Sequence, residues 1–197
     1  MNVPLPFALG AHALPDLVRD AAAAFVERDD RSPEARARLV IQLSKLSTEL
    51  DNGGPFGAAI FDADDKLVSV GINRVVPWGS YEFHAEGVAL ALAKTVAPEH
   101  FMLPERWSLV TSSAPCCMCF GRIFWSGLRG LAICARREDV ESLTGFDEGP
   151  IPDEWQSLLR ARSFTVTEDI LRDEARAVLA AYKGPLYQRA SGDGPAQ

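Results

Sequence analysis

Basic charge is the first thing this sequence is short of. Its 20 Lys and Arg stand against 27 Asp and Glu, leaving a net charge of −7 and a pI of about 5.0. A protein that tracks nucleic-acid phosphates needs a basic face, and here the Lys and Arg are scattered, so nucleic acid is not an expected partner. Long apolar runs are also missing. None approaches the ~20 residues needed to cross a bilayer, so no membrane partner is expected. The first ten residues lack the basic start of a secretory signal. Cysteine is scarce, with 4 in 197 residues, and three of them crowd into Cys116, Cys117 and Cys119. That arrangement does not suit a disulfide framework. Clustered thiols without export features point to metal or redox work in a reducing, cytoplasmic setting. Neither an internal repeat nor a second domain is visible.

What is present reads as an ordinary globular chain, 47% hydrophobic and 24% charged, long enough for one sizeable core. Residues 1–13 carry no readable pattern. Leu14 to Val26 is Ala-rich and reads as a helix. After the turn at Asp29–Asp30–Arg31, Ser32 is a candidate N-cap and Pro33 a candidate first helical residue. Leu39, Leu43, Leu46 and Leu50 then recur at helical spacing, until Asp51–Asn52–Gly53–Gly54–Pro55 stops the run. Phe56–Phe61 and Leu67–Ile72 flank an acidic turn and predict a β-hairpin. Asn73 to Phe83 is a loop, Ala85 to Val96 a helix, Trp107 to Thr111 a strand and Cys116 to Ser126 a helix. Gly130 to Ala135 is apolar throughout and predicts a strand buried on both faces. Phe164–Thr167 is a fifth strand and Leu171–Tyr182 a last helix. This alternation predicts an α/β fold of three layers, α/β/α: a central mixed five-stranded sheet with helices on both faces. The expected organisation is an N-terminal helical extension over 1–52, a catalytic domain over 53–190, and a small polar tail over 191–197 without order.

Two short stretches carry the chemistry. In Pro115–Cys116–Cys117–Met118–Cys119 the outer thiols are three residues apart, so at a helix start they share one face. His84–Ala85–Glu86 precedes another helix. Two thiolates and an imidazole leave one of zinc's four positions open, as a hydrolytic site requires for its water. Glu86 is close enough to carry that water's proton. The spacing H-x-E followed by P-C-x-x-C is the signature of zinc-dependent deaminases. Other readings remain at this point: a redox dithiol, which needs no upstream His or Glu, or a structural zinc, which wants four ligands. Cys117 points elsewhere around its helix and Cys134 lies on a core strand, so three ligands fit better than four. His12 and His100 have no partner motif and read as capping or surface groups.

These stretches, with Gly53–Gly54–Pro55–Phe56–Gly57–Ala58, Gly71–Ile72–Asn73–Arg74–Val75 and Thr144 to Pro150, resemble the cytidine deaminase superfamily over about residues 53–187. The closer likeness is to its bacterial guanine deaminases. The resemblance implies a cytidine deaminase-like fold, a zinc cofactor on His84, Cys116 and Cys119, and Glu86 as proton shuttle in converting guanine to xanthine and ammonia. It implies a small nucleobase or nucleoside as substrate, held by Asn73, Phe56, Pro115, Phe146 and Glu148. It also implies a homodimer, with C-terminal segments exchanged in some members so that a terminal aromatic, here Tyr187, closes a site. The chain departs from the family pattern at Phe83, Gly87 and Ala114, all near the ligands in sequence. Other amino-substituted rings or nucleosides (guanosine, cytosine, cytidine, an amino-triazine such as ammeline) are the alternatives within the class. A noncatalytic zinc-stabilised interaction protein is the alternative outside it.

Overall fold

The computed structural model describes residues 5–99 and 101–188. The expected tail over 191–197 and His100 lie outside those residues. The elements, in chain order, are β1 (Ala8–Leu9), β2 (His12–Ala13), α1 (Asp16–Val26), α2 (Pro33–Glu49), β3 (Gly57–Phe61), β4 (Leu67–Ile72), α3 (Val75–Trp78), α4 (Ala85–Val96), β5 (Ser108–Ser113), α5 (Cys117–Trp125), β6 (Gly130–Ala135), α6 (Arg137–Thr144), α7 (Trp155–Arg160), β7 (Thr165–Thr167) and α8 (Arg172–Ala181). A small antiparallel pair, β1 with β2, stands apart from the main sheet.

The main sheet runs β4-β3-β5-β6-β7. Strands β4, β3 and β5 pair antiparallel, whereas β5, β6 and β7 pair parallel. The sheet is therefore mixed, with five strands, as its hydrophobic pattern predicts.

Alternation along the strands explains the three layers. Ala59 and Phe61 of β3, Val70 and Ile72 of β4, Val110 of β5 and Cys134 of β6 join a core with Val18, Phe25, Val40, Leu43 and Leu179 of α1, α2 and α8. Their neighbours Ala58, Ile60, Leu109 and Ile133 point the other way, onto Ala85, Ala89, Ile123 and Leu159 of α4, α5 and α7, and Val68 joins them where a shift in the β3–β4 register interrupts the alternation of β4. Side chains on a strand alternate faces with period two, so each strand feeds both cores. The seat of α4 is set by Gly71, where a Cβ would come within 2.1 Å of the Ala85 carbonyl oxygen and 2.7 Å of the Ala89 nitrogen. Only glycine lets that helix lie so close on β4.

Four features depart from the sequence expectation. Residues 8–13 form the β1–β2 pair, Val75–Trp78 makes one helical turn inside the expected loop, and α6 and α7 occupy stretches where no element was read. No helix among the described residues is long and apolar enough to cross a membrane.

Candidate active site

The site forms where three chain ends meet: the start of β3, the end of β4 and the end of β5. Ser112 Oγ accepts a hydrogen bond from the Gly57 N–H at 3.0 Å, and the Asn73 N–H donates to the Phe56 carbonyl at 3.1 Å. Ligands in α/β folds gather at the carboxyl ends of strands. Two helices start here. His84 is the N-cap residue of α4 and Cys116 that of α5, both in extended backbone.

This placement brings the separated motifs together. His84 Nδ1 lies 3.5 Å from Cys116 Sγ and 3.7 Å from Cys119 Sγ. The three donor atoms all lie within 4.8 Å of one another, and the residues are buried. With Zn–S near 2.3 Å and Zn–N near 2.0–2.1 Å, the nitrogen-to-sulfur edge of a tetrahedron is roughly 3.6 Å. The spacing of this trio therefore fits a tetrahedral zinc with one free corner. Among the described residues no fourth ligand-type atom joins the cluster. Cys117 stays outside it: its N–H donates to the Glu148 carbonyl at 2.9 Å, and its sulfur sits against Gly149. Cys134 is buried in the core on β6.

Electrostatics fits the same picture. The Cys116 thiol is brought down to about 4, first by a hydrogen bond from Cys119 and, against the cost of burial, by His84. Cys119 is pushed well up by the charge its neighbour carries, through that same hydrogen bond, and by burial. Burial disfavours a charged His84, yet the Cys116 thiolate raises it overall. Metal ligands bind deprotonated, so a divalent cation would displace the protons these groups hold. Glu86 is 6% exposed. Burial first, then the charge on Cys116, pushes its carboxyl up.

Around the trio lie polar atoms that the protein leaves without partners. Asn73 is fully buried. Its Oδ1 accepts from the N–H groups of Gly54 (3.3 Å) and Val75 (3.2 Å), whereas its Nδ2 has no partner. The two backbone donors fix the amide's orientation and leave the donor end free. The Tyr187 hydroxyl and His84 Nε2 are likewise buried and unpaired. Tyr187 stacks edge-on at 6.3 Å from the His84 ring and lies 4.7 Å from Phe146, which is 5.4 Å from Phe56. Its hydroxyl sits over Gly54, where a Cβ would be 2.3 Å away. Glu148 is 6% exposed, and burial followed by the charges of Cys116 and Glu86 pushes it well up. Pro115 is buried immediately before Cys116. Contacts thus run from His84 through Tyr187 and Phe146 to Phe56; Asn73 and the Tyr187 hydroxyl both meet Gly54, and Pro115 and Glu148 adjoin Cys116 and Cys117.

The departures from the family pattern have local explanations. Phe83 packs against Trp78 (4.9 Å) and His12 (5.3 Å), so it supports the loop rather than entering the site. His12 itself stacks on Trp78 at 4.9 Å, and this ring contact replaces the capping or surface role expected of it. Ala114 is buried in the apolar layer beneath α5, and its N–H donates to the Ala135 carbonyl at 2.8 Å. Sequence reasoning missed Arg74, whose side chain is buried beside Asn73 and reaches Asp51 at 3.2 Å. It also missed Arg122, which touches the loop before His84. A charge on an amphipathic helix gives no sequence signal for such a crossing.

A mixed α/β sheet bearing a buried His-Cys-Cys trio beside a buried glutamate defines a class of zinc-centred protein. Residues 31–135 match the family described as the cytidine and deoxycytidylate deaminase zinc-binding region, and the chain belongs to that family. It is similar to the guanine deaminase of Nitrosomonas europaea, with 41% identity, a TM-score of 0.74, and coverage of 87% of this chain and 96% of that one. A structure of the Nitrosomonas protein with 2,6-diaminopurine gives 44% identity and a TM-score of 0.75, over 85% and 88%. A probable cytosine deaminase of Schizosaccharomyces pombe is 38% identical over 110 residues, which is 56% of this chain and 64% of that protein. A guanine deaminase of Bacillus subtilis is 33% identical over 96 residues, 49% and 59% of the two chains. The chain thus matches less than two thirds of the length of either curated relative.

Proposed function

We propose that this chain hydrolyses guanine to xanthine and ammonia. The carrying observation is the set of buried, unpaired polar atoms around the trio, Asn73 Nδ2 above all. Leaving a buried donor unsatisfied costs about 1–3 kcal/mol, so this amide is built to be met by an acceptor on a bound molecule. Glu148 offers the complement: ring and exocyclic N–H groups of a bound base would favour its charged form, which burial otherwise disfavours, and would be accepted by it together. Phe56, Phe146 and Tyr187 supply aromatic surface for a flat ring. The pocket's closed, aromatic walls favour a free base over a nucleoside.

His84 Nδ1, Cys116 Sγ and Cys119 Sγ would hold zinc, which supplies Lewis acidity and lowers the pKa of a water toward ~7. Glu86 moves the protons. With its carboxyl raised by burial, it can carry the attacking water's first proton to the ring nitrogen and then the second, from the hydroxyl left on the ring carbon, to the departing amine. Water's oxygen ends on the ring carbon as a carbonyl, the C–N bond breaks, and ammonia carries away the amine. Asn73 and Glu148 orient the base, and Tyr187 over the trio excludes bulk water. The thiol ligands suit a reducing, cytoplasmic setting.

The relative in Schizosaccharomyces pombe favours cytosine as the second reading. Cytosine presents fewer N–H donors to a carboxylate than guanine does, so Glu148 argues for the purine. We also read the protein as a homodimer. Phe101, Met102 and Trp125 are exposed and share a groove with Leu90 and Arg122 beside α4 and α5, an apolar surface that a second copy would cover.

The test is metal content of the purified protein followed by ammonia release from guanine, guanosine, cytosine, cytidine, adenine and ammeline. One zinc per chain and turnover of guanine at least tenfold above the others is expected. Faster release from cytosine or a nucleoside would overturn the substrate, and zinc without any turnover would support a noncatalytic protein. Light scattering tests the dimer; a monomer at micromolar concentration would remove it.

A further inference from the structure

We infer that Arg122 is a positioning residue for the zinc ligands, acting through a notch in α4 at Gly87. This rests on the reading that His84, Cys116 and Cys119 hold zinc. Arg122 follows Cys119 by three residues, one turn further along the same face of α5. Its Nη1 donates to the Glu82 carbonyl at 2.7 Å, and its Nη2 lies 3.7 Å from the Glu82 carboxylate. Glu82 stands two residues before His84. One side chain therefore ties the helix that carries both thiols to the segment that delivers the imidazole.

The tie has a specific opening. A Cβ on Gly87 would come within 2.0 Å of Arg122 Nη1, 3.2 Å of its Cζ and 2.8 Å of the Glu82 carbonyl oxygen. Any other residue there would push the guanidinium out of its seat. Glycine weakens a helix relative to alanine, and Gly87 is buried in the first turn of α4 with an ordinary helical backbone. Backbone freedom does not require it; the guanidinium and the Glu82 carbonyl it bonds do. The remaining restraints on the segment are longer or lie on its far side. The Phe83 N–H reaches the Ser80 carbonyl at 3.3 Å, the Glu82 N–H reaches Ser80 Oγ at 3.4 Å, and the Arg74 N–H donates to the Phe83 carbonyl at 2.8 Å. Apart from the contacts of His84 with the two thiols, it is Arg122 that joins this segment to the thiol helix among the described residues.

Groups that orient metal ligands from outside typically change metal affinity 10–100-fold when removed. The experiment measures zinc release into excess chromogenic chelator from zinc-loaded wild type, Arg122→Met, Arg122→Lys, Gly87→Ala and the Gly87→Ala/Arg122→Met double variant. The unfolding midpoint of each is recorded alongside. Arg122→Met and Gly87→Ala should each release zinc at least tenfold faster, with Arg122→Lys between them and wild type. In the double variant Gly87→Ala should add less than it does alone, because the nearer of the two groups it displaces is already gone and only the Glu82 carbonyl remains in its way. Release at the wild-type rate from Arg122→Met would overturn the role. So would a Gly87→Ala effect of undiminished size in the Arg122→Met background, since that marks a disturbance of α4 that does not pass through the guanidinium. A wild-type protein that binds no zinc would instead remove the metal reading on which the role rests.

Discussion

Glu86 is an expensive residue to bury. A carboxyl out of water beside two thiols gains nothing from packing, and its raised pKa states that cost as a shift toward the protonated form. A carboxyl whose protonated form is favoured in this way suits a place where protons move. Glu86→Gln keeps size and burial and leaves the three ligands untouched. We expect it to retain zinc and to lose ammonia release by about 10²–10⁴-fold; full activity in a metal-replete variant would remove Glu86 from the mechanism. Glu148→Gln, which swaps an acceptor for a mixed donor and acceptor, should raise KM for guanine about tenfold or more while leaving zinc content unchanged. Asp139 carries a different consequence. Its carboxylate, 2% exposed, accepts from Arg172 at 2.7 and 2.8 Å, from Arg176, and from the Arg136 N–H at 2.9 Å. The Arg172 bond foremost, then the Arg136 N–H and the arginine charges, hold it at about 2, below its ordinary 3.8, against the opposing effect of burial. A depressed carboxyl contributes stability that is present above pH 4 and is lost as pH falls through about 2. Asp139→Asn should therefore cost roughly 2 kcal/mol at neutral pH, less than for a fully buried pair because both arginines are about a third exposed. Its stability should also fall less steeply than wild type between pH 4 and 2. Parallel pH curves in urea titrations would refute the assignment.

Among the elements, α2 shows how local chemistry sets a boundary. Ser32 Oγ accepts from the Ala35 N–H at 3.2 Å, Pro33 opens the helix, and Glu34 sits in its first turn. Ser32→Ala should cost about 1 kcal/mol, read as a lower unfolding midpoint with unchanged zinc content. Boundaries of this kind were legible in the sequence because the signal is local. The same holds for α4, which ends before Pro98, and for β6, an apolar run between Gly130 and Arg136. The elements that escaped lack such signals. Helix α6 begins after Arg136 instead of a Ser, Thr, Asp or Asn, and its entry is secured by Asp139 reaching back to the Arg136 N–H. Helix α7 has six residues, too few to display a period, and β1 and β2 have two each. The metal trio was legible because H-x-E and C-x-x-C fix donors at short spacings. Contacts made across long stretches of chain left no local mark: Arg122 over Gly87, Tyr187 over Gly54, His12 on Trp78.

Across the whole molecule, the sheet's two faces hold separate cores, and the site lies at their shared edge. Metal bound there ties α4 to α5. Chelation should therefore lower the thermal midpoint as well as abolish turnover, and both should return when zinc is restored. A midpoint indifferent to chelator would mean that the trio holds no structural share. The C-terminal segment after α8 lies over the site of its own chain, with Tyr182 stacked on Phe146 at 5.7 Å and Tyr187 beyond it. A chain ending at Tyr182 should keep its fold and lose ammonia release at least tenfold. Mixing it with Glu86→Gln should leave the mixture inactive, since each segment serves its own site. Recovered turnover would show exchange between protomers.

That covering segment carries a kinetic corollary. His84, Glu86, Cys116 and Cys119 are each at most 8% exposed, so a visiting ring finds no open doorway while Tyr187 is seated. Were that segment to stay seated between turnovers, arrival would wait for it to swing aside and departure for it to swing again. The tempo of catalysis would then be kept by a hinge between Ala181 and Leu186, and a thickened solvent would slow the protein even with substrate in excess.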